Sequence, residues 1–303
     1  MKLVDLIFAA RPMLHLPVWS IYLVALSHHH KLSGGRFGWS DLGMLACLSL
    51  MASGAYYLNQ LYDYRSDAIN NKLGFLQRRL VSTGSLMTGY VVTSVVAVSV
   101  SLLYSLVTLA IFVQLFLLGY IYSAPPIRLK DRPMWGLLAN AYCFGFLVPT
   151  SVMPEVTLHN NGQLGWDNPM YFFLSLASIY ALTTLADRDG DRAVGKRTLA
   201  VVIGPVRVRF LALLLMAGAA YVAVRSQHDL LLVLATLSAT FILIAIVVRS
   251  SRMDLFATKT PILLLTLLAG FFYPSYLAFV IVTVATCRIY YRKRWHVDYP
   301  KLT

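Results

Sequence analysis

Acidic residues are scarce in this chain of 303 residues. Asp and Glu together number 13, of which only one is Glu, against 26 Lys and Arg. Charged residues make up 13% of the chain and hydrophobic residues 58%, and the mean hydropathy is +0.66. A soluble domain of this length needs more polar surface to stay dissolved. The composition therefore excludes an ordinary soluble enzyme and indicates a single integral membrane domain over residues 1–303.

The excess of basic residues does not indicate a nucleic-acid-binding protein. The net charge is +13, but the Lys and Arg residues lie in short segments between apolar runs. Membrane proteins place such residues in the loops that face the cytoplasm and anionic lipid. The three cysteines lie in or beside apolar stretches without the spacing of a metal site. We therefore expect the protein to lie in the lipid bilayer and not to bind nucleic acid.

Long apolar runs predict nine membrane-spanning helices, because a helix needs about 20 apolar residues to cross a bilayer. The expected fold is all-α and polytopic, with the helices arranged around a central cavity. The predicted spans are residues 12–28, 41–61, 86–104, 106–122, 135–153, 168–186, 208–224, 229–248 and 261–287.

The loops between these spans are strongly asymmetric in charge. With nine spans, the N-terminal segment and the loops after spans two, four, six and eight share one side. That side carries 18 of the 26 Lys and Arg, and the opposite loops carry three. The asymmetry predicts that the 18-charge side is cytoplasmic in the cell membrane. A C-terminal tail with five further Lys and Arg would lie outside in this count, against the same rule.

Two short segments concentrate the acidic residues that remain. Asn59, Asp63 and Asp67 are spaced four residues apart, so on a helix their oxygens lie in one stripe. Asp187 and Asp191 repeat the same spacing. Together with a further Asp between the last two, these segments hold five of the 13 acidic residues and fall on the predicted cytoplasmic side.

The two Asp segments, residues 59–67 and 187–195, are equally separated along the chain. Their first aspartates are 124 residues apart, and so are their second. Four predicted spans lie between them. The equal separation predicts a diverged duplication of a four-helix unit, followed by one extra helix, that brings both segments to the same central cavity.

Carboxylates at this spacing suit magnesium, which keeps several waters and binds one or two carboxylates together with phosphate oxygens. Two such clusters could hold a diphosphate between two or more ions, while nearby basic side chains neutralise its charge. The candidate metal ligands are Asn59, Asp63, Asp67, Asp187 and Asp191. The candidate diphosphate-binding basic residues are Lys72, Arg79, Arg128, Lys130, Lys196 and Arg197.

The two Asp segments, and a third segment between them, resemble the three signatures of the UbiA superfamily of intramembrane prenyltransferases. The third segment runs Tyr122-Ser-Ala-Pro-Pro-Ile-Arg128-Leu-Lys130. It is similar to the one in which chlorophyll-synthase-like and digeranylgeranylglyceryl-phosphate-synthase-like branches place basic residues near the diphosphate. The resemblance covers about residues 10–290. It implies that Asn59 and the four aspartates bind magnesium and prenyl diphosphate, with Tyr122 among the diphosphate-binding residues.

Two departures from the family pattern concern the first Asp segment. Gln60 follows Asn59 where the family often has an Asp. The stretch Arg79-Leu-Val-Ser-Thr-Gly84 arrives about five residues late and lacks the prolines that are common there. Because of this insertion, the resemblance is a weaker guide to the roles of Lys72 and Arg79. The core Asp positions match the family pattern.

The resemblance and the chemistry of the residues imply the same reaction. A prenyl group would pass from a prenyl diphosphate to a lipophilic or aromatic acceptor, with release of pyrophosphate. Magnesium and basic side chains would stabilise the leaving group, and an apolar cavity would keep water from the carbocation-like prenyl group. The catalytic residues would be Asp63, Asp67, Asp187 and Asp191, whereas Asp189 points away from their stripe.

Two other kinds of membrane protein also depend on clustered acidic residues. A CDP-alcohol phosphotransferase has its motif, D-G-x2-A-R-x8-G-x3-D-x3-D, within one segment, and that pattern is incomplete around Asp189. A cation-coupled transporter usually has its acidic residues near mid-membrane. Neither the acceptor nor the prenyl chain length leaves a visible mark in the sequence.

Overall fold

The computed structural model describes residues 3–69, 74–152 and 167–299, and every regular element within these ranges is helical. Lys72, a predicted diphosphate ligand, lies outside the described residues. In chain order the α-helices are α1 (Leu3–Ala9), α2 (Leu16–Ser33), α3 (Trp39–Tyr62), α4 (Tyr64–Ile69), α5 (Thr83–Ser101), α6 (Leu106–Ser123), α7 (Pro133–Asn140), α8 (Val148–Thr150), α9 (Asp167–Ala186), α10 (Arg188–Ala193), α11 (Leu199–Ile203), α12 (Pro205–Arg225), α13 (Asp229–Val248), α14 (Ser251–Phe272) and α15 (Pro274–Trp295).

Nine helical segments of the described chain are long and apolar enough to cross a membrane, the number that the sequence predicted, but the two sets of nine differ in one member. The protein is therefore an all-α, polytopic integral membrane protein. The nine are the segment Leu3–Lys31, which contains α1 and most of α2, and the helices α3, α5, α6, α9, α12, α13, α14 and α15.

One predicted span is wrong, because residues 261–287 form parts of two helices. Helix α14 ends at Phe272, and Tyr273 leaves helical geometry with φ −130° and ψ 84°. Pro274 then starts α15 at a position where its missing N–H costs no helical hydrogen bond. Both helices are apolar at the junction, so hydropathy alone merges them.

The predicted span 135–153 is present but irregular. It consists of α7, a π-helical stretch at Ala141–Leu147, and α8. The segment begins just after Lys130, at the end of the bundle that holds the Asp segments. The residues directly after α8, Ser151 and Val152, line a small cavity with Tyr104 near the opposite end. Gly145 permits close packing on α9, because a Cβ there would lie 2.6 Å from the backbone of Phe172. This composite segment therefore connects the two ends of the bundle.

The extra helix changes the placement of the C-terminal tail. Arg294, at the end of α15, donates to both carboxylate oxygens of Asp5 in α1, at 3.1 and 2.9 Å. Tyr290 donates to Asp5 at 2.8 Å, and Arg78 lies over the Trp295 ring at 4.4 Å. The end of α15 thus lies beside the N-terminus and not on the opposite side that a count of nine spans required.

The described helices pack in two groups, and an apolar cavity is lined in part by helices of the first group. In one group, α3 packs against α5 and α6; in the other, α9 packs against α12, and α13 packs against both α12 and α14. Helix α2 packs on α14, and α7 with its π-helical continuation packs on α9. The cavity, described below, lies between α2, α3, α6 and the composite segment.

Candidate active site

Each Asp segment begins where a membrane-spanning helix breaks and a short helix follows. Asp63 lies between α3 and α4, with φ −99° and ψ 9°. Asp187 lies between α9 and α10, with φ −96° and ψ −2°. The two breaks have nearly the same backbone conformation, and α4 and α10 contact each other. The fold thus brings together two segments that are 124 residues apart.

The four-residue spacing survives these breaks because backbone hydrogen bonds continue through them. The Asp63 amide donates to Asn59 O at 2.9 Å, and the Asp67 amide donates to Asp63 O at 2.8 Å. The Asp191 amide donates to Asp187 O at 2.9 Å in the same way. Asn59, Asp63 and Asp67 therefore keep a helical register.

Burial separates the predicted catalytic aspartates from their neighbour. Asp63, Asp67 and Asp191 are buried, and Asp187 is half-buried. Asp189 lies two residues from Asp187 and two from Asp191, and its side chain is exposed. This placement agrees with the stripe geometry, which directs Asp189 away from the other carboxylates.

Asp63 is held between two lysines from different parts of the chain. Lys130 Nζ lies 2.9 Å from Asp63 Oδ2, and Lys196 Nζ lies 2.8 Å from Asp63 Oδ1. Lys130 also donates to Asn59 Oδ1 at 2.6 Å. Three predicted site segments, those of Asn59, Lys130 and Lys196, therefore meet at one carboxylate.

Lys196 connects the two Asp segments directly. It follows the second segment in sequence but bonds to Asp63 of the first, while its Nζ lies 3.9 Å from Asp191 Oδ1. The same Nζ lies 3.9 Å from Asp131 Oδ1. Asp131 was not predicted as a site residue, although it directly follows the predicted Lys130.

Arg128 is held in an uncommon backbone conformation beside this cluster. Its φ of 44° lies in the left-handed region, which non-glycine residues seldom adopt. Arg128 Nε pairs with Asp131 Oδ2 at 2.8 Å, and Arg128 Nη2 lies 3.9 Å from Asp63 Oδ1. The turn therefore directs the guanidinium group toward the same carboxylate as the two lysines.

The ion pairs fix the charge state of Asp63. Burial alone would raise its pKa, but the charges and hydrogen bonds of Lys130 and Lys196 outweigh burial and lower the pKa below its ordinary value. Burial lowers the pKa of Lys130, and Asp63 offsets part of that effect. Burial also opposes the charge of Lys196, yet the nearby carboxylates raise its pKa. Asp63 is therefore held as a carboxylate, the form that binds cations.

Arg11 also reaches the site, although the sequence indicated for it only a share in the basic charge of the predicted cytoplasmic side. Its Nη2 lies 3.3 Å from Asp67 Oδ2. The residue sits at the break between α1 and a 3-10 turn, with φ 55°. Gln60, at a departure from the family pattern, donates to Ala9 O at 2.6 Å and so ties this N-terminal segment to α3.

Two cavities adjoin the cluster. A basic cavity of about 750 Å³ is lined by Arg65, Arg128, Arg132, Lys196 and Arg197, together with Tyr62 and Tyr64. An apolar cavity of about 160 Å³ extends into the bundle and is lined at its polar end by Asn59 and Tyr122. The Tyr122 hydroxyl lies 3.3 Å from that of Tyr180.

The predicted residue Arg79 is not part of this arrangement. It is exposed in the turn before α5, with φ 53°, and lines neither of the two cavities. Arg197 is also exposed but does line the basic cavity. The late and proline-free stretch around Arg79 had already weakened its assignment.

The donor set of the cluster fits magnesium. Within the ranges that the structure describes, no three or more His, Cys, Asp or Glu are grouped to enclose a metal ion. Magnesium does not require such a group, because it keeps several waters and uses one or two carboxylates with substrate phosphates. The available donors are hard oxygens, those of Asn59, Asp63, Asp67, Asp187 and Asp191.

Comparison with known proteins covers most of the chain. The model of the UbiA prenyltransferase family matches residues 15–260. A UbiA homolog from Archaeoglobus fulgidus, solved with bound DMAPP and Mg²⁺, superposes with a TM-score of 0.69 at 18% identity. The superposition covers 90% of this chain and 99% of that chain, so the two share a fold.

Curated relatives match over shorter stretches. The "Probable homogentisate phytyltransferase 2, chloroplastic" of Oryza sativa subsp. japonica is 31% identical over 164 residues, which cover 51% of this chain and 42% of the relative. The "4-hydroxybenzoate octaprenyltransferase" of Pseudoalteromonas translucida (strain TAC 125) is 26% identical over 196 residues, 56% of this chain and 60% of the relative. The chain thus spans about half the length of these relatives.

Proposed function

The chain belongs to the UbiA prenyltransferase family, and from this membership we propose that it transfers a prenyl group from a prenyl diphosphate to an acceptor within the membrane. The observation that carries the proposal is the contact of Lys196 with Asp63, because it joins the two Asp segments. The joined segments lie at the polar end of an apolar cavity that can take a hydrocarbon chain.

Basic side chains of this site would bind the diphosphate. Lys130 and Lys196 each carry an ammonium group with three donors, and Arg128 presents a guanidinium fork suited to phosphate. All three lie within 4 Å of Asp63. As the allylic C–O bond breaks, negative charge grows on the leaving pyrophosphate, and these fixed cations stabilise it more than they stabilise the ground state.

The carboxylates and Asn59 are proposed as magnesium ligands. Bound magnesium supplies Lewis-acid stabilisation of the phosphate oxygens. Asp63, Asp67, Asp187 and Asp191 supply the negative charge that draws cations to this end of the bundle. The fixed spacing through each helix break keeps those carboxylates in position before substrate arrives.

The apolar cavity would protect the prenyl group during transfer. Its walls are formed mainly by Leu, Ala, Met and Val side chains, so water is poorly accommodated. Tyr56 and Tyr122 contribute aromatic rings, whose faces stabilise nearby positive charge. A carbocation-like prenyl group would therefore be captured by the acceptor before water reaches it.

We propose an aromatic acid as the acceptor. The relatives named above carry homogentisate and 4-hydroxybenzoate in their names. In this chain the basic cavity offers Arg65, Arg132 and Arg197 in addition to the residues that contact Asp63. Tyr62 and Tyr64 lie in the same cavity, so it provides both a counter-charge for a carboxylate and aromatic surface.

We further propose that the Asp segments face the cytoplasm. The loops on their side carry 18 Lys and Arg against three on the other. The contact between Arg294 and Asp5 adds the basic end of α15 to the same side. A nine-span topology would have put the basic C-terminal tail on the outer side, against the charge rule. With the end of α15 beside α1, the tail agrees with that rule.

A transfer assay tests the proposal. Detergent-purified protein would be given magnesium, a series of prenyl diphosphates and a panel of acceptors: 4-hydroxybenzoate, homogentisate, a polyene and a glycerol phosphate ether. We expect a prenylated aromatic acid and pyrophosphate in equal amounts. CMP release from a CDP-alcohol would favour a phosphotransferase, and cation flux in vesicles without any turnover would favour a transporter.

A further inference from the structure

The chain carries a strained residue beside the site, at the break between α1 and the 3-10 turn Pro12–His15. This residue is Arg11, whose φ of 55° and ψ of 63° place it in the left-handed region, where a side chain with a Cβ is crowded. Its Nη2 lies 3.3 Å from Oδ2 of the buried Asp67. A non-glycine residue stays in this region only where its surroundings hold it there. The contacts of the Arg11 backbone therefore decide where the guanidinium group lies.

Side chains of α3 hold the backbone on both sides of Arg11. Gln60 donates to Ala9 O at 2.6 Å, and Tyr56 donates to Leu14 O at 2.9 Å. Within the turn, Arg11 O accepts from the Leu14 amide at 2.8 Å, which leaves this carbonyl oxygen one further lone pair. The helix in which the first Asp segment begins therefore also fixes the course of the N-terminal segment.

His15 binds the Arg11 carbonyl at this second position. His15 is buried, and its Nδ1 lies 3.2 Å from Arg11 O. A carbonyl oxygen can only accept, so Nδ1 carries the proton in this bond. The opposite nitrogen, Nε2, faces α3 at 3.1 Å from Ser49 O and 3.2 Å from Ser53 Oγ. The ring also packs against Tyr56, with the ring centroids 5.4 Å apart. One buried side chain therefore connects the Arg11 peptide group to α3.

We propose that His15 is a positioning residue for prenyl transfer, because it holds Arg11 in the conformation that brings the guanidinium group to Asp67. The inference rests on the proposed function, in which Asp67 is a magnesium ligand. His15 lines neither of the two cavities beside the site, so it acts through Arg11 and not on the substrate. Without the ring nitrogens, the Arg11 peptide group loses its connection to α3 and can leave the left-handed region. The guanidinium group then moves away from Asp67.

A double-mutant cycle tests whether His15 acts through Arg11. The kcat of prenyl transfer, with magnesium and the substrates that the transfer assay selects, would be measured for wild type, His15→Phe, Arg11→Ala and the double variant. His15→Phe removes both nitrogen contacts but keeps a ring against Tyr56. We expect it to lower kcat by about tenfold, the scale of one charged hydrogen bond. In the Arg11→Ala background the same change should cost less than about twofold, because no guanidinium group remains to be positioned.

Two further variants separate positioning from packing. His15→Asn keeps an amide N–H near the place of Nδ1, so it should recover part of the kcat that His15→Phe loses. Ser20→Ala, in the helix that follows the turn, is the matched structural control. The buried Ser20 hydroxyl lies 2.8 Å from that of Tyr276 and 3.1 Å from that of Thr266, outside the site. Ser20→Ala should lower the melting temperature in detergent and leave kcat unchanged.

The outcomes distinguish this role from the proposed function. If wild type transfers no prenyl group to any acceptor in magnesium, the proposed function fails and the role of His15 fails with it. If wild type is active, a loss in His15→Phe that vanishes in the Arg11→Ala background supports the role. Losses that multiply in the double variant contradict it, as does a folded His15→Phe variant with the kcat of wild type or a folded His15→Asn variant no faster than His15→Phe. Should His15→Phe not fold, His15→Ala takes its place under the same criteria.

Discussion

Asp63 has three charged partners in the described site, two ammonium groups within 3 Å and a guanidinium group at 3.9 Å. A neutral amide at this position would keep the shape but remove the charge that holds Lys130 and Lys196. The same argument applies to the other three predicted catalytic aspartates, each of which would lose a charge aimed at bound cations.

We predict that Asp63→Asn, Asp67→Asn, Asp187→Asn and Asp191→Asn each lower turnover at least ~10²-fold, the scale of losing one electrostatic stabiliser. Asp189→Asn is the matched control, since this side chain is exposed and should cost much less. The measurement is the initial rate of prenyl transfer by folded variants.

A double variant across the two segments sharpens this prediction. Because Lys196 joins the segments into one site, Asp63→Asn with Asp191→Asn should cost less than the product of the two single effects. Near-normal rates in both single variants would show that these carboxylates are ordinary loop residues.

Arg11 offers a second test at the residue scale. Its guanidinium pairs with the buried Asp67, so Arg11→Ala should leave that carboxylate poorly positioned and lower kcat by about tenfold or more, as expected for a charged hydrogen bond. Arg11→Lys should recover part of the loss. Arg36→Ala, exposed at the opposite end of the bundle, should have no effect. Equal kcat values in wild type and Arg11→Ala would refute the role.

Sequence spacing anticipated some site residues and missed others for clear reasons. Asn59 and Asp63 were visible because their relation is local and helical. Arg11 and Asp131 were not, since the first meets Asp67 across 56 residues and the second depends on the turn at Arg128. Contacts of this kind are decided by tertiary packing, which a single sequence does not display.

At the scale of helices, α12 and α14 are joined by a buried ion pair. Arg209 donates to both carboxylate oxygens of Asp254 at 2.7 Å, and both side chains are almost fully buried. Removing one partner would leave the other charge buried and unpaired, which typically costs ~3–5 kcal/mol. Replacing both with apolar residues of similar size is far less costly.

We therefore predict that Arg209→Met alone strongly lowers the melting temperature of the protein in detergent. Intrinsic fluorescence would measure the unfolding. The double variant Arg209→Met with Asp254→Leu should recover most of the stability. Asp298→Asn breaks the exposed pair with Arg292 and is the control, since exposed pairs contribute ~0–1 kcal/mol. A double variant less stable than Arg209→Met would contradict the argument.

The break between α14 and α15 gives a topological prediction. Single cysteines, placed in a chain whose three native cysteines are replaced, would be labelled by a membrane-impermeant reagent in sealed vesicles. Positions 189 and 298 should label from the same side, and position 36 from the other. Labelling of positions 298 and 36 from one side would mean that α15 does not cross.

The break also shows what hydropathy can and cannot locate. Most helix positions followed from apolar runs, because the bilayer forces the backbone of a crossing segment into a helix. The junction at Tyr273 was missed since apolar residues continue through it. Pro274 could have located the junction, because proline is common at the first position of a helix. Hydropathy alone does not register this preference.

At the scale of the whole molecule, we propose one domain built from two diverged repeats. The 124-residue separation of the Asp segments recurs in the helices around them: Tyr62 and Ala186, the last residues of α3 and α9, are also 124 apart. Helices α5 and α12 start 122 residues apart, and α6 and α13 start 123 apart. The structure adds two helices, α14 and α15, where the sequence suggested one.

The repeat explains why the sequence could anticipate a shared site. In the proposed repeat, two copies of one helix–break–helix unit bring their Asp residues together through the contact of α4 with α10. The partner lysines are less predictable, because Lys130 and Lys196 come from different positions within the two repeats. On this proposal, the central site combines carboxylates from equivalent positions of the two repeats with cations from non-equivalent positions.

In the proposed mechanism, the two Asp segments act as one magnesium-dependent diphosphate site. The direct measurement is prenyl transfer by wild-type protein in magnesium, after addition of excess EDTA, and after magnesium is restored. We predict that product formation stops with the chelator and returns with the metal. Full turnover in excess EDTA would contradict the claim.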